Sequence, residues 1–109
     1  MPARTCFLRP FAETECAGKL QRCHLVKEQV IRREVWDRRL RIGLPSGITK
    51  TALLKDPRWS VWGCVRHHWE LDKSRRLRIP RYRLPPELEE AAAEYGILWA
   101  VEREYGCLS

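Results

Sequence analysis

Cys64 stands three residues before His67 in the segment GCVRHHWELD, and a second histidine, His68, follows at once. That spacing constrains the chain more than any other feature. Zinc takes four Cys or His ligands in a tetrahedron, and two ligands three residues apart form a common half-site. On a helix, residues i and i+3 share a face, so both donors can meet one ion. A chain of 109 residues reads as one domain. A domain of that size buries a modest core and gains from a metal that staples it.

The other half-site has to come from Cys6, Cys16 or Cys23. Cys6 plus Cys16 is preferred, because both lie in a loop-like stretch around FLRPFAETE that can fold around an ion. Cys107, near the end of the chain, reads as a free thiol. His68 should point elsewhere than His67, since neighbouring helical residues are turned about 100° apart.

The five cysteines are an odd number, and MPARTCFLRP contains no apolar stretch of the kind a signal peptide needs. No segment approaches the length of a membrane span. Both features lead to the expectation of a soluble cytoplasmic protein with no membrane partner, in a reducing compartment where cysteines serve metals more often than disulfides. There is no Cys-x-x-Cys redox pair, no glycine-rich phosphate loop and no Gly-x-Ser-x-Gly elbow. Lys and Arg number 21 against 14 Asp and Glu, for a net charge of +7. The excess is mostly arginine, and a polyanion such as nucleic acid is the partner that such a balance favours.

Along the chain, residues 1–18 read as a loop and 19–26 as a short strand carrying His24. Residues 27–41 lack Gly and Pro and are rich in helix formers, although Val30, Ile31, Val35, Trp36 and Leu40 fit a 3.6-residue period poorly. IGLPSGITK is the strongest loop signal. WSVWGC reads as a second strand, and Val65 to Ser74 as a helix. Pro85-Pro86 opens a further helix that Gly96 can end, with Leu88, Ala91, Ala92 and Tyr95 on one face as a cap for the core or a dimer surface. The run Lys73, Arg75, Arg76, Arg78, Arg81 and Arg83 leaves the helix of His68 and could track a phosphate backbone. Tyr82, within it, could stack on a base.

CAGKLQRCHLV followed by DPRWSVWGCVRHHWELD resembles the two halves of an HNH endonuclease. The likeness is greatest to the small HNH proteins of phage and actinobacterial genomes, which share a tail of the type LRIPRYRLPPELEEAAAEYGILWAVEREYG. The resemblance implies an α+β fold, with a zinc-stabilised ββα-metal core of treble-clef type and additional helices. The core would cover 1–79, with a helix and loop insertion at about 27–55, and a C-terminal extension over 80–109 would pack on it. His24 matches the general base that activates water, and His68 a ligand of the catalytic divalent ion. Cys64 and His67 match the distal zinc pair, and Cys6 and Cys16 fall where the proximal pair is expected.

The implied function is metal-dependent hydrolysis of DNA phosphodiester bonds with little intrinsic sequence preference. The implied cofactors are a structural zinc and a catalytic Mg²⁺, Mn²⁺ or Zn²⁺, in a bacterial or phage-infected cell. Two positions depart from the family's pattern: its Asn falls on Trp59, and the metal-binding residue before the first histidine falls on Cys23. Asp56 and Asp72 are the candidates for a replacement carboxylate. The alternative implied by these departures is a catalytically inactive zinc domain that binds nucleic acid or a partner protein, such as one of phage packaging or of the host. A zinc-stabilised interaction domain without a nucleic-acid role is a third reading.

Overall fold

In a computed structural model, residues 5–107 are described. Residues 1–4 of the expected N-terminal loop and residues 108–109 of the expected extension lie outside them. The chain is mixed α+β, with one two-stranded antiparallel sheet and six α-helices among the described residues. None of these helices is long and apolar enough to cross a membrane.

The sheet pairs β1 (Leu20–His24) with β2 (Ser60–Cys64), in a register that sets Leu20 opposite Cys64 and His24 opposite Ser60. Both strands fall where the sequence places them. Side chains alternate across a strand, which separates Cys23 from His24. Cys23 is fully buried, while His24 is only half-buried. Gly63 explains how Cys23 fits: a Cβ there would come within 2.8 Å of the Cys23 sulfur and of Leu8 Cδ1.

The segment between the strands departs from a single helix. It divides into α1 (Glu28–Ile31), a π-helical turn (Arg32–Trp36) and α2 (Arg39–Ile42), which ends on Gly43 with φ of +76°. The wide turn accounts for the poor periodicity of its apolar residues. Ile31 and Val35 are buried, whereas Leu40 is 92% exposed. After the predicted loop comes α3 (Lys50–Leu54), which the sequence reading did not include, capped by the Thr49 hydroxyl accepting from the Ala52 amide.

A 3₁₀ turn (Pro57–Trp59) then leads into β2. Trp59 is fully buried and donates its indole N–H to the Leu53 carbonyl at 2.7 Å. Its own carbonyl accepts from Leu25 (2.8 Å) and Val26 (3.3 Å), fastening the residues just after His24 to the start of β2.

Directly after β2 runs α4 (Val65–Trp69), continued by a π-helical turn (Glu70–Ser74). The sheet and α4 form a ββα unit, and the insertion separates its two strands. Beyond it, 76–80 is extended and a 3₁₀ turn (Arg81–Arg83) follows, with Leu77, Ile79 and Arg81 buried and Arg76, Arg78 and Tyr82 exposed. Helices α5 (Pro86–Tyr95) and α6 (Leu98–Tyr105) follow. Leu88, Ala91 and Ala92 are fully buried, so the apolar face of α5 caps the core.

Candidate metal centre

Four side chains converge where the N-terminal loop meets the junction of β2 and α4. The donor atoms of Cys6, Cys16, Cys64 and His67 all lie within 4.8 Å of one another. His67 Nδ1 is 3.5 Å from the Cys6 sulfur and 3.7 Å from that of Cys16. A tetrahedral zinc with Zn–S of about 2.3 Å and Zn–N of about 2.0–2.1 Å would set S and N about 3.5 Å apart. The cluster therefore has the size and the donor set to hold a metal such as zinc. These are the four ligands that the sequence reading proposed.

Each ligand is held in place by local structure. Cys64 is the N-cap of α4, its sulfur accepting from the His67 amide at 3.4 Å. The Cys6 sulfur accepts from the Cys64 amide at 3.2 Å, and its loop is tied to β2 by Phe7 N–H on the Trp62 carbonyl. The Cys16 loop is fixed to α4 by the Arg66 amide on the Ala17 carbonyl, 3.1 Å. Gly18, with φ of +86°, lies so close that a Cβ would come within 2.8 Å of Val65 Cβ.

His67 is fully buried, and its Nε2–H donates to the Thr14 carbonyl at 2.9 Å. That bond puts the proton on Nε2 and leaves the Nδ1 lone pair for a metal, the usual outer-shell arrangement. The Thr14 hydroxyl in turn donates to the buried Glu70 carboxylate (2.8 Å and 3.1 Å), so one loop residue grips α4 and the turn that continues it. At Cys64, burial pushes the thiol up, but hydrogen bonds from the His67 and Ala17 amides and from its neighbouring thiols outweigh it and bring its pKa down. A lowered pKa suits a thiolate ligand.

His68 turns away from this centre, as expected. Its Nδ1 accepts from the Gln21 side-chain amide on β1, and its Nε2–H donates to Asp72, 2.9 Å away and one turn later. The other oxygen of Asp72 is paired with Lys27. Both nitrogens of His68 are thus engaged. Among the described residues no second group of three or more Cys, His, Asp or Glu donors converges on one point.

Beside this network lies a cleft of about 600 Å³, bordered by His24, Lys27, Asp72, Arg75, Arg78 and Glu104. His24 Nδ1 is buried without a hydrogen-bond partner. Burial holds its imidazole below the ordinary value; Lys27 and Arg22 push the same way, against Glu28. The ring is therefore favoured in its neutral form. Helix α6 closes one side through Tyr105, whose hydroxyl donates to the Leu25 carbonyl.

The basic run separates. Arg75 and Arg78 border the cleft, and Lys73, Arg76 and Arg83 are exposed, the last lying over the Phe11 ring. Arg81 departs from the expected phosphate track: it is buried and paired with Glu89 on α5. The cause is the extended run that ends at Pro80, whose two-residue period brings Arg81, the first residue of the 3₁₀ turn, onto the side of Leu77 and Ile79. Of the two candidate carboxylates, Asp56 is excluded from the cleft, being buried against Arg58 and Tyr95.

The sequence reading missed Thr14, Gln21, Lys27 and Glu104. Of these only Lys27 left a trace, as a cation three residues after His24. Comparison with protein-family models, with curated proteins and with solved structures gives no match.

Proposed function

We propose that this chain is a metal-dependent endonuclease of the HNH type, hydrolysing DNA phosphodiester bonds on a zinc-stabilised treble-clef ββα-metal core. The observation that carries the reading is His24: a histidine whose Nδ1 has no protein partner, set beside a cleft that also holds Asp72, Arg75 and Arg78. The four-ligand cluster where the N-terminal loop meets β2 and α4 fits the structural zinc of such a core.

In this reading His24 takes the proton of the attacking water, a task that needs the imidazole unprotonated. Arg75 and Arg78 hold the phosphates on either side of the scissile bond. Asp72 and His68, once the bond between them opens, would hold a divalent ion such as Mg²⁺, which commonly takes one or two protein donors and completes its shell with water and phosphate oxygens. Such an ion supplies positive charge to the phosphate and the leaving oxygen. Gln21 orients His68, and Lys27 pairs with Asp72. Contacts to phosphate alone give little sequence preference.

A specific observation favours a second reading. Both nitrogens of His68 are engaged, and Trp59, in the place of the family's Asn, is a core residue. A catalytically inactive zinc domain that binds nucleic acid or a partner protein, in the phage setting that the resemblance implies, would tolerate both.

Conversion of supercoiled plasmid to nicked or linear form decides between them, with wild type and His24→Ala compared in Mg²⁺, Mn²⁺ or Zn²⁺. Metal-dependent cutting that drops at least a hundredfold in His24→Ala is expected for the nuclease. No cutting by a zinc-loaded wild type in any of the three ions would sink it.

A further inference from the structure

The chain has five tryptophans, and their surroundings differ. Trp59 is in the core. Trp36, Trp62 and Trp99 each lie under a guanidinium, with Arg39, Arg22 and Arg103 at 4.3, 5.1 and 5.6 Å from the ring centroids. Among the described residues the Trp69 side chain has no hydrogen bond and no cation over its ring, and the residue is 56% exposed. It lies on α4 directly after His68 and four residues after Val65, itself 46% exposed.

A large bare indole on a rigid helix keeps apolar area in water that a partner with a flat apolar face would cover favourably. Its flanks are cationic. Arg66 and Lys73 are both exposed on the same helical stretch, Arg66 also reaching the Glu15 carbonyl at 3.3 Å. Asp72, which borders the cleft, is three residues further on, so Trp69 precedes the cleft wall by less than one helical turn. An apolar ring set among positive charges complements a partner with flat apolar faces and negative charge. That partner is a nucleic acid with an unpaired base.

We propose that Trp69 is a stacking platform for an unpaired base of single-stranded nucleic acid, placed beside the cleft so that the adjoining phosphates reach Arg75 and Arg78. This rests on the nuclease reading above and narrows its substrate to strands that are single, frayed or nicked. In a duplex both faces of each base are already stacked, which leaves the indole nothing to cover. No covalent role is assigned to Trp69; it positions the strand.

The test uses the zinc-loaded full chain carrying His24→Ala with no added divalent ion, so that nothing is cut. A fluorescein-labelled single strand and its duplex are titrated by anisotropy at several salt concentrations. The single strand is expected to bind more tightly. Trp69→Ala should weaken it by roughly five- to a hundredfold, the range of one lost base stack, and Trp69→Phe should recover most of the loss. The slope of affinity against salt should not change, since the phosphate contacts remain.

Equal single-strand affinity in Trp69→Ala and its parent overturns the platform. So does a change in sedimentation mass without a change in binding, which would make Val65 and Trp69 a contact between copies. Plasmid cutting by the wild type with either result leaves the nuclease reading in place. Absence of binding to both strands overturns the platform and the nucleic-acid reading together.

Discussion

His67 donates its Nε2 proton to the Thr14 carbonyl, 2.9 Å away, and that bond decides which ring nitrogen faces the cysteine sulfurs. The metal centre is thus prepared by a loop residue that is not a ligand. The purified chain is expected to hold one zinc, and a chelator that removes it should lower Tm. His67→Cys should keep the metal, because four thiolates also suit zinc, while His67→Ala should lose it. Thr14→Val frees the buried Glu70 carboxylate and loosens the loop; a roughly tenfold loss of zinc affinity is expected, at the low end for an outer-shell change. Competition against a chromophoric chelator measures it, and unchanged affinity would show that the Thr14 carbonyl holds its place without the hydroxyl.

Trp59, which the proposed HNH reading aligns with asparagine, is fully buried beside Tyr95 with its N–H on Leu53. The family residue cannot simply be restored there. Trp59→Asn should cost about 3–5 kcal/mol, as large-to-small changes in a packed core do. Trp59→Phe should cost less, but more than the roughly 1 kcal/mol of the indole hydrogen bond, because the pocket is also underfilled. Urea denaturation of the zinc-loaded protein gives both numbers. A Trp59→Asn midpoint equal to that of the wild type would mean that the indole contributes nothing to the core.

What could be read in advance follows from how local each signal is. The four candidate ligands were legible because only a few residue types bind zinc and Cys64 and His67 carry a helical spacing. Both strands and α5 were legible from short-range composition. The break in 27–42 was not, because the π-helical turn is stabilised by burying Ile31 and Val35 against other elements, and propensity gives no warning of it. Arg81 was misplaced for a different reason. Its charge suggested the surface, while the alternation of Leu77 and Ile79, four and two residues earlier, already pointed inward. The pairing of His68 with Asp72 was visible as an i,i+4 spacing, but the roles of Gln21 and Lys27 depend on where β1 and α1 pack against α4.

Arg75 ends the turn after α4 with φ of +56°, and it is the one non-glycine residue with positive φ among those described. An L-residue there costs on the order of 1 kcal/mol relative to glycine. The same residue borders the cleft, where the proposed nuclease would hold phosphate. Arg75→Gly should therefore raise unfolding stability by about 1 kcal/mol and weaken binding to a DNA oligonucleotide several-fold, effects of opposite sign. Arg75→Lys should retain the strain and part of the binding. A less stable Arg75→Gly would show that the side chain packs instead of waiting for a ligand.

Asp56 holds the start of β2 to the C-terminal helices. Its carboxylate accepts from the Arg58 amide and guanidinium, and from the Tyr95 hydroxyl at 2.8 Å. The Arg58 side chain is the main cause that takes its pKa from 3.8 to about 2; burial opposes this, and the Arg58 amide and Tyr95 add to it. A depressed carboxylate contributes its stability in full above the unfolded value and loses it as pH falls through the folded one. The loss should therefore run from just above pH 3.8 to about 2, and amount to on the order of 2 kcal/mol. Asp56→Asn preserves the shape and removes the titration. The stability difference between wild type and Asp56→Asn should shrink across that window, and because zinc is released by acid from both proteins, its loss cancels in the difference. A difference that stays constant as the pH falls would place the favourable interactions of this carboxylate equally in the unfolded chain, and the Arg58–Asp56–Tyr95 link would not be what fastens α5 to the sheet.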